Sequence, residues 1–371
     1  MKMCFGNSFG FKYSNNLTAK EIFGYCYGGF LLEVTENIEN AEEIGEITDD
    51  GSISHNGEEI KLERLLGIYE NKLESVYRCN KENPKTETQT FSYQFKNRVS
   101  PAIKTAKPKV LIPVFPGTNC EYDSAKAMCD AGAEPEIFVI NNRTPQNVAK
   151  SVEKFANSLK TAQMVFIPGG FSGGDEPDGS GKFITAFFRS AAVQEQVTNL
   201  LDNRDGLMCG ICNGFQALIK LGLVPYGKIM NTDENCPTLT YNTIARHQSK
   251  IVRTRIASNK SPWLANTEVG DIYSVPVSHG EGRFIASNEL IHRLAENGQI
   301  ATQYVDENGK ATSDIRFNPN GSYYAIEGIT SPDGRVFGKM GHSERYAADL
   351  YKNVPGNYDI KMFRSAVKYF K

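Results

Sequence analysis

Cys212 is the residue of this 371-residue chain whose neighbours best fit it to act as a nucleophile. It lies between Gly210 and Gly214 and follows the apolar run from Leu207 to Ile211, which is short enough for a buried strand. A Gly-x-Cys-x-Gly junction between a strand and a helix predicts a nucleophile elbow, in which the glycines permit a strained turn and the helix N-terminus favours a thiolate. The same spacing also fits a buried core cysteine between two packing glycines.

A cysteine nucleophile needs a base and a further group that orients this base. Two of the five histidines have a glutamate two residues later, namely His279 with Glu281 and His342 with Glu344. In an extended segment residues i and i+2 project to the same face, so each glutamate can reach its imidazole. The spacing alone does not choose between the two pairs.

Two other patterns bear on metal and phosphate chemistry. Cys209-x-x-Cys212 could be a redox or zinc half-site, but the sequence has no second Cys-x-x-Cys and no histidine pair at ligand spacing, so we expect no metal. Residues 179–183 partly match the sequence of a phosphate-binding loop. Glu176 stands in place of its first glycine and Phe183 in place of Ser or Thr, which favours a plain polar loop.

The composition is that of a globular protein, with 40% apolar residues, 23% charged residues and a net charge of −2. This near-neutral charge gives no support for nucleic acid or a membrane surface as a partner. No apolar run reaches the roughly 20 residues that span a bilayer, and the N-terminus does not resemble a signal peptide. The eight cysteines lack the spacing of a disulfide framework. We therefore expect a cytoplasmic protein.

The elements that would position Cys212 begin at residue 107. Short continuous apolar strands alternate with helices up to Cys212, which predicts an α/β fold with a doubly wound, mostly parallel sheet of the flavodoxin-like kind. Ligands of such sheets bind at the carboxyl ends of the strands, where residues 116–117, residues 168–170 and Cys212 are expected to converge. Further strands are expected at residues 240–256, 272–277, 300–305, 323–330 and 336–340, followed by a helix at 360–369.

Residues 1–79 form a separate small α+β unit in this interpretation. Helices are expected after Thr18 and at residues 62–69, strands at residues 29–34 and as a hairpin at residues 52–61, and a helix leading into a strand at residues 41–47. Fewer than about 80 residues give a thin core, so we interpret this unit as the tail of a larger domain. Residues 80–106 are polar and aperiodic, which predicts a linker.

Residues 210–216, Gly-Ile-Cys-Asn-Gly-Phe-Gln, resemble the nucleophile segment of class I (triad) glutamine amidotransferases. The resemblance covers about residues 107–371, and the first unit resembles the end of an ATP-binding, aminoimidazole-ribonucleotide-synthetase-like half. The chain is thus similar to the C-terminal portion of a large single-chain amidotransferase of purine biosynthesis. The further matching stretches, in the family's order, are residues 115–121, 167–175, 279–284 and 340–345.

The resemblance assigns the base to His342 and its orienting partner to Glu344, although Ser343 stands where the family usually has proline. The other pair then belongs to the site wall or to the contact with the synthetase half. The residues given these supporting roles are Gly170, Phe171, Asn213 and Gln216 for the oxyanion and substrate, and His279, Glu281 and Arg283 for the wall.

The implied activity is hydrolysis of L-glutamine through a Cys212 thioester. Its ammonia would pass to the synthetase half, where ATP and magnesium support the conversion of formylglycinamide ribonucleotide to the amidine. The resemblance places no cofactor in this chain. Two alternatives remain from the sequence, a non-catalytic scaffold domain and a cysteine hydrolase of the same fold that acts on another substrate.

Overall fold

The computed structural model describes residues 1–76, 88–96, 100–172 and 180–371. The chain divides into two compact units, Met1–Lys81 and Glu82–Lys371. Within the described ranges, no helix combines the length and apolar character needed to cross a membrane.

The first unit is built on a four-stranded sheet with the order β2-β1-β3-β4, in which β1 and β3 are parallel and the other pairs are antiparallel. Its strands are β1 (Gly10–Tyr13), β2 (Gly45–Thr48), β3 (Ser52–His55) and β4 (Glu58–Lys61), and its helices are α1 (Lys2–Asn7), α2 (Ala19–Phe23) and α3 (Leu62–Asn71). The predicted hairpin is confirmed as β3 and β4, and the helix predicted after Thr18 as α2, where Thr18 and Glu21 form a capping box.

Two predictions for the first unit are wrong. Residues 29–34 form no strand, and residues 41–44 form no helix before β2. Phe30, Leu31 and Leu32 are exposed instead of packed. An extended segment needs a neighbour for its backbone groups, and the described part of this unit supplies no strand that pairs with residues 29–34.

The second unit contains one nine-stranded sheet flanked by helices, together with a two-stranded ribbon formed by β9 and β12. The strands are β5 (Lys109–Val114), β6 (Glu134–Val139), β7 (Met164–Ile167), β8 (Leu207–Ile211), β9 (Thr238–Tyr241), β10 (Gln248–Ile256), β11 (Ile272–His279), β12 (Glu281–Ile285), β13 (Ile300–Tyr304), β14 (Ile326–Thr330) and β15 (Val336–Lys339). The helices are α4 (Glu121–Asp130), α5 (Pro145–Leu159), α6 (Lys182–Phe188), α7 (Ala191–Thr198), α8 (Asn213–Leu221), α9 (Leu223–Tyr226), α10 (Asn288–Glu296) and α11 (Met362–Tyr369).

The strand order β11-β10-β13-β14-β15-β8-β7-β5-β6 has two halves. The strands from β15 to β6 are parallel and confirm the predicted α/β sheet, whereas those from β11 to β15 are antiparallel. The boundary strand β15 is parallel to β8, and its register pairs Lys339 with Ile211. The segments that follow these two strands therefore leave the sheet side by side at the same edge.

Several boundaries differ from those expected. The expected strand at residues 240–256 is divided into β9 and β10, since the intervening residues form a loop, and β12 was not predicted. The expected linker is not free where it is described: Phe91 is buried, its N–H donates to Oε1 of Gln303 at 2.8 Å, and Tyr93 forms a bridge with Ser258. Residues 77–87, 97–99 and 173–179, which include the first part of the loop compared with a phosphate site, lie outside the described residues.

Candidate active site

Cys212 occupies a strained turn between β8 and α8, with φ 54° and ψ −108°. A non-glycine residue pays about 1–3 kcal/mol for such a backbone, so a packed surrounding must hold it. The flanking glycines allow this packing. A Cβ on Gly210 would lie 2.5 Å from the backbone carbon of Gly214, and a Cβ on Gly214 would lie 2.1 Å from the carbonyl oxygen of Ile167. The geometry is that of the predicted elbow.

His342 and Glu344 leave the sheet beside this elbow because β15 is paired with β8. The imidazole Nδ1 and Oε1 of Glu344 are 2.6 Å apart and both residues are buried. The other ring nitrogen, Nε2, is also buried and has no hydrogen-bond partner within the described structure. A Cβ added to Gly169 would lie 2.7 Å from Cε1 of His342 and 3.4 Å from Cβ of Cys212. The imidazole and the thiol side chain therefore contact the same small volume.

Burial raises the pKa of Cys212 to about 12, and negative charge at Cys120 and Glu344 acts in the same direction. The N–H of Asn213 at the start of α8 opposes this rise but is outweighed. The N–H at the start of α8 therefore acts in the expected direction, but burial outweighs it and the protonated thiol is favoured.

The carboxyl group of Glu344 behaves differently. Burial opposes its ionisation, yet the charge on His342 and the hydrogen bonds from His342 and the Glu344 backbone hold its pKa below the ordinary value. The ionised Glu344 accepts a hydrogen bond from Nδ1–H, which leaves Nε2 as the ring nitrogen that can take a proton. A thiol with a raised pKa thus has a nitrogen base beside it.

The loops after β5 and β7 meet at this edge, as expected from the sequence. The N–H of Phe171 donates to the carbonyl oxygen of Gly117 at 2.8 Å, and the N–H of Asn119 donates to that of Gly169 at 3.2 Å. The approach requires glycine, because a Cβ on Gly117 would lie 2.1 Å from the carbonyl oxygen of Phe171. Gly170, with φ 146°, also packs against residues 117–119, since a Cβ there would lie 2.5 Å from the carbonyl oxygen of Gly117.

A cavity of about 270 Å³ opens above the sulfur of Cys212. Its wall is held by Glu281, which accepts hydrogen bonds from the N–H and hydroxyl of Ser180 through Oε2 and from the side-chain amide of Gln216 through its carbonyl oxygen. Asn213 in turn donates to Oε1 of Gln216 at 3.0 Å. The described residues that line the cavity are Gly170, Phe171, Ser180, Cys212, Gln216, Tyr241, Ala245, Arg246, His247, Ser278, His279, Gly280 and Glu281.

Of two residues predicted for the wall, His279 lines the cavity and Arg283 does not. His279 lines the cavity with Nδ1 3.2 Å from Oδ1 of Asn242, and burial, reinforced by His342 and His247, lowers its pKa to about 3. Arg283 was expected in the wall, but it is not among the lining residues. Its Nε donates to the carbonyl oxygen of Gly321 and its guanidinium lies over the ring of Tyr323, because β12 turns this side chain away from the cavity.

Sequence reasoning gave no role to Cys120 and Arg345, although both lie in stretches that carry the resemblance. The Cys120 sulfur is 3.8 Å from Nδ1 of His342 and accepts a hydrogen bond from Arg345 at 3.0 Å. In the described part of the chain, Cys120, His342 and Glu344 are the one group whose donor atoms lie close enough to hold a metal ion. The guanidinium beside them and the existing Nδ1–carboxylate bond both disfavour a second cation there.

A larger open depression of about 700 Å³ lies over α7 and is lined by Ala191, Gln194, Glu195, Gln196, Thr198, Asn199 and Asn203. Its lining residues include no cysteine and no histidine. The chemistry is therefore assigned to the smaller cavity at Cys212.

The comparisons with known proteins identify the family of this chain. Residues 107–370 match the model of the CobB/CobQ-like glutamine amidotransferase domain. The phosphoribosylformylglycinamidine synthase subunit PurQ of Methanococcus maripaludis is 35% identical over 257 residues, which cover 68% of this chain and 87% of that protein. The subunit of the same name from Dehalococcoides mccartyi is 34% identical over 274 residues, or 71% of this chain and 98% of that protein.

Among solved structures, the chain is similar to one of PurLQS from Thermotoga maritima, with a TM-score of 0.52 and 25% identity over 71% of this chain and 100% of that one. The sequence match and the similarity in fold indicate the same family. The chain belongs to the CobB/CobQ-like glutamine amidotransferase family, among relatives that are PurQ subunits of phosphoribosylformylglycinamidine synthase.

Proposed function

We propose that this chain hydrolyses L-glutamine at Cys212 and supplies the ammonia to a phosphoribosylformylglycinamidine synthase reaction. The observation that carries the proposal is the placement of Cys212, at the elbow, beneath a cavity and beside His342. The Nδ1 atom of this histidine is hydrogen-bonded to the buried carboxylate of Glu344. The names of the relatives support the substrate and the pathway.

In the first half-reaction, Nε2 of His342 takes the proton of the Cys212 thiol, and the sulfur attacks the side-chain carboxamide carbon of glutamine. The raised pKa of Cys212 makes this transfer necessary, because a free thiolate is scarce near neutral pH. The imidazolium then gives its proton to the departing nitrogen, which leaves as ammonia. Glu344 keeps Nδ1 protonated and stabilises the transient charge.

The tetrahedral oxyanion needs N–H donors, and Gly170 and the residue after the nucleophile, Asn213, are the proposed ones. Phe171 is the weaker candidate, because its N–H already donates to Gly117. In the second half-reaction His342 removes a proton from water, which attacks the thioester carbonyl, and glutamate leaves with regeneration of the thiol. Loss of one such donor costs about a hundredfold or more in rate.

We further propose that the chain corresponds to the C-terminal portion of the large single-chain form of the enzyme. The resemblance of residues 1–79 to the end of a synthetase half supports this arrangement, and the separate four-stranded unit is compatible with it. The preferred partner is then the synthetase half itself, where ATP and magnesium would act. His279 and Glu281 are proposed to form the cavity wall in this scheme.

Labelling with a glutamine-like diazoketone tests the nucleophile. The full chain should lose one equivalent of free thiol at Cys212, and Cys212→Ala should lose both labelling and glutamine hydrolysis. Cys209→Ala is the matched control, because Cys209 is also a buried cysteine, lies in β8 three residues before Cys212, and should leave both intact. A labelled Cys212→Ala chain, or one that still releases glutamate from glutamine, would refute the proposal. A chain that never labels would favour the scaffold alternative.

A further inference from the structure

Next to the triad, the sheet contains a fully buried ion pair that the proposed chemistry does not use. Lys339 on β15 and Glu327 on β14 are 3.2 Å apart, and neither side chain is exposed to solvent. Replacing such a pair by apolar side chains of similar volume often leaves stability unchanged or improved. Its presence is therefore weak evidence of a stabilising role, and the groups that it contacts indicate what else it does.

The contacts of both charges converge on the segment that carries the imidazole. The Lys339 ammonium donates to the carbonyl oxygen of Gly341 and to the hydroxyl of Ser343, each at 2.9 Å. Oε1 of Glu327 accepts from the N–H of Gly341 at 2.6 Å, and Oε2 accepts from the hydroxyl of Thr302. The ion pair thus holds the residues immediately before and after His342.

The fit around this segment is close. A Cβ on Gly341 would lie 2.9 Å from Oε1 of Glu327 and 2.7 Å from a methyl group of Val275, so a larger residue would separate the segment from the carboxylate. The N–H of His342 donates to the carbonyl oxygen of Pro276 on β11 at 2.8 Å. Residues 341, 342 and 343 therefore each form a hydrogen bond either to the backbone of a buried strand or to a buried side chain of such a strand.

We propose that Lys339, Glu327 and Ser343 are positioning residues that hold the imidazole of His342 at the distance and angle at which it exchanges protons with Cys212. Ser343 stands where the resembling family usually has proline, whose ring would fix the backbone by itself. Here the hydroxyl of Ser343, bound to the buried ammonium, does this through a hydrogen bond. The inference rests on the proposed function, because it requires His342 to act as the base.

The first test is Ser343→Ala in the full chain, assayed by glutamate release from glutamine. Loss of the hydroxyl should lower kcat by about tenfold and leave KM within about twofold, since the segment can drift while the cavity is unchanged. Ser343→Thr keeps a hydroxyl and should recover most of this loss. Ser365→Ala is the matched control, because Ser365 is also buried, but its hydroxyl donates to the carbonyl oxygen of Lys361, directly before α11, and accepts from the N–H of Asn266.

The second test is the double variant Lys339→Met with Glu327→Gln, which removes both charges together and avoids an unpaired buried charge. It should keep the fold by circular dichroism but lower kcat at least as far as Ser343→Ala, and adding Ser343→Ala to it should cause little further loss. Lys260→Met is the control, because the Lys260 ammonium also donates to a carbonyl oxygen, that of Asn297. Neither residue lines the cavity.

The outcomes separate this inference from the proposed function. If His342→Ala abolishes hydrolysis while Ser343→Ala keeps wild-type kcat, the positioning role is refuted and the function stands. If the unmodified chain releases no glutamate from glutamine, the proposed function itself falls. If His342→Ala retains full activity, the assignment of the base falls, and the positioning role falls with it. A rise in KM with unchanged kcat would also refute the inference, because it would place the network in substrate binding. If the double variant does not fold, Ser343→Ala with its threonine rescue decides alone.

Discussion

Gly214→Ala tests whether the elbow geometry, as opposed to the mere presence of a cysteine, is what the site requires. The added methyl group would lie 2.1 Å from the carbonyl oxygen of Ile167 and 2.8 Å from its carbonyl carbon, whereas ordinary contacts begin at 3.4 Å. Both obstacles are backbone atoms of strand β7, inside the sheet, and cannot rotate away. The start of α8, with Cys212 directly before it, must therefore move outward by roughly 1 Å, a misplacement that can cost about a hundredfold in rate.

We expect Gly214→Ala to lower kcat for glutamine hydrolysis by about a hundredfold and the free energy of unfolding by about 1–3 kcal/mol, the usual cost of overpacking. The chain has a single tryptophan, Trp263, which is buried in the second unit, so its fluorescence reports the unfolding of that unit by denaturant. Gly67→Ala is the matched control. Gly67 is also a helical glycine, in α3, and a methyl group there meets no atom within 4 Å.

The two measurements together decide the matter. A Gly214→Ala chain with wild-type kcat and an unchanged unfolding midpoint would refute the close contact between the elbow and β7, and with it the assignment of Cys212 to a strained turn. Equal losses in Gly67→Ala would show that the assay responds to any added methyl group. A loss of stability with an unchanged kcat would support the close contact with β7 but would refute its role in positioning the sulfur of Cys212.

Two further predictions concern the histidines. His342→Ala should lower kcat by about a hundredfold or more, and His279→Ala by far less, because only His342 is oriented by a buried carboxylate; equal losses would contradict the assignment. The folded pKa of His279, about 3, lies below its ordinary 6.5, so the folded state resists protonation. The contribution of His279 to stability is complete above pH 6.5 and is lost progressively as the pH falls towards 3. Between pH 7 and 4, the denaturation midpoint should therefore fall less in His279→Gln than in wild type. Midpoints that fall in parallel with pH in the two proteins would refute this.

The sequence alone was sufficient for the features that depend on local pattern. Short apolar strands alternating with helices predicted the parallel half of the sheet, since burial on both faces demands continuous apolar runs. The two glycines around Cys212 predicted the elbow, since their missing Cβ atoms are what such a turn needs. The His-x-Glu spacing reduced the candidate bases to two pairs, and the resemblance favoured His342.

Features that depend on contacts between distant segments were decided only by the tertiary structure. The pairing of β15 with β8 brings His342 beside Cys212, and no local pattern encodes that register across some 130 residues. Burial raised the pKa of Cys212 against the effect of the helix terminus, which the sequence could not weigh. Arg283 pointed away from the cavity, and Lys339, an apparently ordinary lysine, proved to be fully buried against Glu327, because solvent exclusion is a property of the whole fold and not of any segment.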